Sequence, residues 1–289
     1  MQLPSDLPES LELWAPANIN LFLAVTGRRA DGYHDLLTLM CAISLYDRLT
    51  LRFGGPGIRV SCDHPAVPED DSNLVHRAAS LFFDRLGGPR GVAVHIDKEI
   101  PVAAGLGGGS SDAAAVLGGL NRVFGRPIAP EMMQRMALAV GADVPFFLRG
   151  KPALATGVGE RLEPVADLVP YHVLMVCPDL HVSTATVYKN LNLGLTKCEK
   201  KLKKLHLKTE RFDALYFLCN DLETVTIRNF PQINEIKKAL LGLGAAGTLM
   251  SGSGPAVFGL FADAAGAGKA LGRLSGRREW HVHLAEMLL

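Results

Sequence analysis

The stretch on which the reading of this sequence turns is Pro101-Val102-Ala103-Ala104-Gly105-Leu106-Gly107-Gly108-Gly109-Ser110-Ser111-Asp112-Ala113-Ala114-Ala115. Four of the five positions from Gly105 to Gly109 are glycine, so almost no side chain stands between the backbone amides and a bulky anion. Upstream, Val92-Ala93-Val94-His95-Ile96 is rich in β-branched residues and reads as a strand running on through Asp97 to Ile100. Downstream, Val116, Leu117, Leu120, Val123 and Phe124 fall on one face of a helix spanning Ala113 to Phe124. A helix start directs unpaired N–H groups and the positive end of its dipole at whatever precedes it. Strand, glycine loop and helix together make a phosphate cradle, with the hydroxyls of Ser110 and Ser111 as further donors. The plainer alternative is a tight turn capped by one of the serines. No Gly-Lys-Ser/Thr closes the loop and its spacing is not G-x-G-x-x-G, so neither a Walker A loop nor a dinucleotide fingerprint is present here. Gly242-Leu243-Gly244-Ala245-Ala246-Gly247 does match G-x-G-x-x-G, but it follows a helical pattern rather than a strand.

Further out, Leu74 to Leu86 and Glu131 to Val140 carry helical periodicity, and Gly141 stands where a helix commonly ends in a left-handed residue. Asp143 follows, ahead of the apolar run Val144-Pro145-Phe146-Phe147, which reads as a strand. His172 to Cys177 is a further strand candidate. The Gly- and Pro-bearing stretch from Gly150 to Pro170 is the best boundary, giving domains of 1–160 and 161–289.

The 289 residues are 48% hydrophobic and 20% charged, ample for a packed core and unlike a disordered chain. Thirty basic residues against 29 acidic ones give a net charge of +1, so no global field draws the protein to nucleic acid or an anionic membrane. The lysine-dense Lys197 to Arg211 interleaves leucines but no aromatic residue for base stacking, and reads as a solvated helix face. No stretch reaches the length of a membrane span, and the acidic N-terminus is unlike a targeting peptide. Five scattered cysteines without a C-x-x-C pair fit free thiols in a reducing cytoplasm.

Two other segments complete the pattern. One is Ala15-Pro16-Ala17-Asn18-Ile19-Asn20-Leu21, followed by Asp31-Gly32-Tyr33-His34; the other is Leu249-Met250-Ser251-Gly252-Ser253-Gly254-Pro255. With the central glycine loop they resemble the three ordered motifs of the GHMP kinase superfamily, over roughly residues 14 to 260. The resemblance implies an α+β, two-domain fold with a ribosomal-S5-like N-terminal domain and a ferredoxin-like C-terminal domain. It implies an ATP-dependent small-molecule kinase working with Mg²⁺ that comes with ATP; no residue is assigned as a metal ligand, and whether the protein itself contributes one is left open. ATP would lie on Pro101, Ala104, Gly105, Leu106, Gly107, Gly108, Gly109, Ser110 and Ser111, with Asn73 lining the adenine pocket. Asp143 matches the catalytic aspartate, a base for the acceptor hydroxyl. Asp31 to His34 narrows the resemblance to members that phosphorylate a cytidine-diphosphate-linked methylerythritol on its 2-hydroxyl. There Asn20, Tyr33, His34, Thr184 and Tyr188 would contact substrate, since an aromatic face and a neutral ring nitrogen suit base recognition.

The chain departs from the family at Asn18, where the motif carries a lysine beside the aspartate. Asparagine donates a hydrogen bond but brings no charge, and losing one preorganised donor typically costs about 10²–10³ in rate. Compensation by another cation, loss of activity, and deliberate substitution all fit. The competing readings are therefore a nucleotide- and substrate-binding homologue without turnover, or another GHMP kinase of homoserine or mevalonate type.

Overall fold

The computed structural model describes residues 7–87, 91–196, 198 and 212–289. They form two compact units, and the chain passes between them repeatedly instead of once near residue 160. The first unit holds residues 1–17, 46–102 and 107–150, the second residues 18–45, 103–106 and 151–289. The cause is strand length. β1 (Ser10–Arg28) and β2 (His34–Phe53) are 19 and 20 residues long, and each contributes one half to either unit. They are joined by a turn in which Gly32 takes φ +89°, a value that a side chain would resist.

In the first unit β2 pairs antiparallel with β4 (Val92–Asp97), which pairs parallel with β3 (Ile58–Cys62). Alternation along the strands sends Leu49, Leu51, Val94 and Ile96 into the core, and Arg48, Arg52, Ser61 and His95 to solvent. The helices α1 (Leu74–Arg85), α2 (Gly108–Val123) and α3 (Pro130–Val140) supply Phe82, Phe83, Leu117, Leu120 and Met136 to the same core. Each fully buried phenylalanine or leucine is worth about 1.5–3 kcal/mol. The helix expected from Ala113 begins five residues earlier, inside the glycine run. Gly141 ends α3 in an extended conformation (φ −176°), not a left-handed one. Val144–Arg149 is a short helix, α4, and not the expected strand; Pro145 at its start pre-sets the helical φ.

In the second unit the antiparallel order is β2, β11 (Trp280–Leu288), β7 (His172–Pro178), β10 (Val257–Phe261) and β9 (Gly247–Met250). The expected boundary region forms a hairpin, β5 (Ala153–Gly157) and β6 (Arg161–Pro164), with β5 on β2; its glycines serve the turn and mark no linker. Helices α5 (Thr184–Lys189), α6 (Glu223–Asn229), α7 (Gln232–Gly242) and α8 (Ala264–Leu274) complete the unit. Ile233, Ile236, Leu240, Ala267 and Leu274 pack on Leu174, Val176 and Val257. As expected from its helical context, Gly242 to Gly247 runs from the last residue of α7 to the first of β9. The two-residue strand β8 (Cys219–Asn220) pairs with Phe22 and Leu23 of β1. Cys198 and Cys219 form a disulfide (S–S 2.07 Å), against the expectation of free thiols, while Cys41, Cys62 and Cys177 are free. Sequence spacing carries no signal for that bridge, because folding alone brings the two Cα atoms within 5.6 Å. Among the described residues no helix is long and apolar enough to cross a membrane. The lysine-dense stretch falls, apart from Cys198, outside the described residues.

Candidate active site

The expected site residues fall into two sets, one in each unit. In the first unit, Gly107 precedes α2 in the left-handed region (φ +68°), and the helix has no side-chain cap. Ser111 is the first residue whose N–H is taken within the turn, by Gly107 O at 2.9 Å. Among the described residues the N–H groups of Gly108, Gly109 and Ser110 have no acceptor, which is the donor set an anion needs. Both serines lie inside the helix and neither is its cap. Ser111 is buried, and its Oγ has no partner among the described residues.

Beneath this turn lies a buried ion cluster that sequence reasoning missed. The Lys98 ammonium binds the Asp47 carboxylate and, at 3.2 Å, Asp112 Oδ2. Asp47 Oδ1 also accepts the N–H groups of Glu99 and Ile100 at 2.8 Å each, which draws the chain out of β4 toward the glycine loop. A Cβ on Gly108 would come within 2.7 Å of Lys98 Nζ, so the helix start packs tightly on the ammonium. Two carboxylates share one cation, so one of them is held as the acid. Burial, reinforced by repulsion from Asp47 and opposed by Lys98, pushes the Asp112 pKa up to about 8, and Asp112 Oδ1 is without a partner among the described residues. Burial pulls the Lys98 pKa down, but the two carboxylates outweigh it and the net shift is upward.

Asn73 caps α1, its Oδ1 accepting Val75 N–H at 2.8 Å and its Nδ2 donating to Pro68 O at 2.6 Å. One amide hydrogen is left for a ligand. The start of α1 abuts the glycine turn, since a Cβ on Gly109 would lie 3.8 Å from Leu74 Cδ1. From the other side, a Cβ on Gly141 would lie 3.9 Å from Ser110 Oγ, which brings the turn bearing Asp143 beside the same helix start. Asp143 precedes α4, but its side chain makes no capping bond. The residue is exposed, yet surrounding protein desolvates the carboxylate and raises its pKa.

The second set is one hydrogen-bonded web. Asn18, 3% exposed, donates its N–H to Leu106 O at 2.9 Å. Asn20 donates its N–H to Ser251 Oγ (3.3 Å) and its Nδ2 to Thr38 Oγ1 (2.8 Å), and Thr38 donates to Phe22 O (2.7 Å). Ser251 Oγ donates in turn to Gly105 O at 2.8 Å, and Ala256 N–H to Ala104 O at 3.1 Å. The serine-glycine loop near the C-terminus is thus packed on Ala104 and Gly105. Thr184 and Ser253 share a hydroxyl hydrogen bond of 2.8 Å. The His34 and Tyr188 rings stand 5.3 Å apart at 30°, and burial, with Arg28 nearby, lowers the His34 pKa, which favours the neutral imidazole. Tyr33 is exposed at the turn, its N–H donated to Asp31 Oδ1. Pro101, half-buried, leads into the loop, and Ala103 adopts φ +55°, an uncommon value for a residue with a side chain.

Comparison with known proteins bears on the same motifs. Residues 73–151 match the GHMP kinases N terminal domain and residues 202–277 the GHMP kinases C terminal domain. A 4-diphosphocytidyl-2-C-methyl-D-erythritol kinase of Syntrophotalea carbinolica is 49% identical over 273 residues, covering 94% of this chain and 97% of its own. One from Pelobacter propionicus is 44% identical over 281 residues, covering 97% and 100%. Among solved structures, a 4-(cytidine 5'-diphospho)-2C-methyl-D-erythritol kinase superposes with a TM-score of 0.80 at 38% identity, over 96% of this chain and 100% of that one. A homoserine kinase from Cytophaga hutchinsonii superposes with a TM-score of 0.74 at 20% identity, over 99% and 97%, and shares the fold.

Proposed function

The chain belongs to the GHMP kinases, among the 4-diphosphocytidyl-2-C-methyl-D-erythritol kinases, and from that premise we propose how its residues serve the reaction. The protein transfers a phosphoryl group from ATP to the 2-hydroxyl of 4-(cytidine 5'-diphospho)-2-C-methyl-D-erythritol, a step of the non-mevalonate isoprenoid route. Phosphoryl transfer asks for positioning, charge neutralisation and a place for the hydroxyl proton. The free N–H groups of Gly108, Gly109 and Ser110 hold the phosphates of ATP, and Asn73 offers its remaining amide hydrogen to the adenine. Mg²⁺, when bound together with ATP, would neutralise charge on the phosphates.

Asp143 accepts the proton of the acceptor hydroxyl. Its raised pKa makes it a better base than an ordinary carboxylate, and it is the one feature that carries the reading: uncommitted, desolvated and beside the glycine turn. Tyr33, His34 and Tyr188 take the cytosine, His34 as a neutral ring able to accept or donate at the base edge. Asn20 and Thr184 contact the sugar alcohol, and Asn18 offers a neutral hydrogen bond where the family has a cation. A doubly charged, nucleotide-linked substrate fits an enzyme of the cytoplasm.

The test is ADP release with the cytidine-linked substrate, with and without Mg²⁺, and location of the new phosphate by ³¹P NMR. Mg²⁺-dependent release with phosphate on the 2-oxygen is expected. Release with homoserine or mevalonate in its place would overturn the substrate assignment. Asn18 favours one second reading, a protein that binds both ligands without turnover; tight binding of both with no ADP released is its signature.

A further inference from the structure

Asn220 has no part in the sequence reading, and its side-chain hydrogen bonds go to none of the expected ligand-binding residues, yet it makes three of them. It is 4% exposed, on β8. Its Nδ2 donates to Met250 O at 2.8 Å and to Gly252 O at 2.7 Å, while its Oδ1 accepts Leu222 N–H at 2.9 Å. Two donors and one acceptor on so short a side chain describe asparagine alone. Aspartate would set a carboxylate against two carbonyl oxygens, and an apolar isostere would leave two buried carbonyls unpaired.

The segment it grips, Met250 to Gly252, is the one that meets the glycine loop. Ser251, fully buried, links Gly105 O to Asn20 N–H through its hydroxyl. Gly252, at φ +52°, lies so close that a Cβ there would stand 3.3 Å from Gly105 O and 3.5 Å from Asn20 Oδ1. Thr226 Oγ1 adds a bond to Ser253 O at 3.2 Å. The loop is therefore held by Asn220 and Thr226 and bonded to Asn20, Gly105 and Thr184.

We propose that Asn220 is a positioning residue of the phosphotransfer reaction, fixing the Ser251–Gly254 loop so that Ser251 holds Gly105 and Asn20 in register. The inference rests on the kinase reading above for its catalytic consequence, but its structural half is read without turnover.

The experiment compares wild type, Asn220→Asp, Ser251→Ala and the double variant. Steady-state kinetics are run well below each melting temperature, and amide hydrogen exchange is followed at Asn20 and Ala256, which bond across this contact, and at Asn18, which bonds the adjoining Leu106 O. Each single variant is expected to lower kcat at least tenfold, with both KM values within about threefold. The double variant is expected to be no worse than the poorer single one, because both act through one contact. Exchange at the three amides rises at least tenfold in Asn220→Asp. A kcat within twofold of wild type, multiplicative losses in the double variant, or unchanged exchange would each overturn the proposal. If Asn220→Asp does not fold, Asn220→Ser, which keeps one donor, takes its place with the same criteria. Wild type without turnover, but with exchange responding as described, would sink the kinase reading and leave the positioning role standing.

Discussion

Gly105→Ala is the substitution whose cost follows most directly from the structure. The residue has φ +80°, and an added Cβ would lie 2.4 Å from Ser251 O, 3.1 Å from Gly254 N and 3.3 Å from Gly254 O. Carbon and oxygen rest no closer than about 3.3 Å, so the serine-glycine loop must retreat by roughly 0.9 Å. All three obstacles are backbone atoms, so no side chain can swing aside. Holding alanine in the left-handed region costs about 1–2 kcal/mol, overpacking about 1–3 kcal/mol, and loss of the Ser251–Gly105 hydrogen bond about 1 kcal/mol. Together these predict a loss of about 3–6 kcal/mol, a large part of the stability of an ordinary domain. Gly109→Ala is the internal control. Its nearest neighbour would be Leu74 Cδ1 at 3.8 Å, an ordinary contact, and alanine gains about 1 kcal/mol over glycine within a helix. Its methyl, however, stands among the amides proposed for the phosphates. Urea unfolding and ADP titration separate the two: Gly105→Ala loses stability, while Gly109→Ala keeps stability and weakens ADP at least tenfold. A Gly105→Ala protein within 1 kcal/mol of wild type would refute the reasoning.

Three further outcomes are expected. Asp143→Asn should lower kcat by about 10²–10⁴ with nucleotide affinity unchanged; in wild type kcat should fall with falling pH as the base protonates, at a pH above the ordinary aspartate range because its pKa is raised. Asn18→Lys should raise kcat at least tenfold while leaving the ADP dissociation constant within threefold, so equal turnover of the two forms would remove any importance from this position. For Asp112, whose folded-state pKa is raised from 3.8 to about 8, the native state favours the acid, so its contribution to stability is whole below 3.8 and is lost as pH rises toward 8. Asp112→Asn should therefore flatten the stability profile across that window and raise the melting temperature at pH 8, as thermal unfolding at a series of pH values will read.

Where a single segment carries its own physics, the sequence was enough. Glycine density between strand and helix announced the tight turn at the start of α2, and the spacing of Val75, Ala78, Phe82 and their neighbours announced α1. Short segments were the ones misread. Val144 to Arg149 is too brief for periodicity to separate strand from helix, and Pro145 was the only local cue. The Asp47–Lys98–Asp112 cluster and the role of Asn220 depend on residues far apart in sequence meeting in the fold, and no spacing rule anticipates them. Asp143 stood out by its place between the end of α3 and the apolar run that follows, and its desolvation agrees with that setting.

The Cys198–Cys219 bridge joins residues 21 apart. Tying a loop of that length removes conformations from the unfolded chain worth about 3 kcal/mol in the chain-entropy model. The second of these cysteines is the covalent neighbour of Asn220, so the clasp bears directly on the strand that steadies the serine-glycine loop. Thiol reagents in a storage or assay buffer are consequently an experimental variable: dithiothreitol opens the clasp, and preparations handled with and without it are two different starting materials.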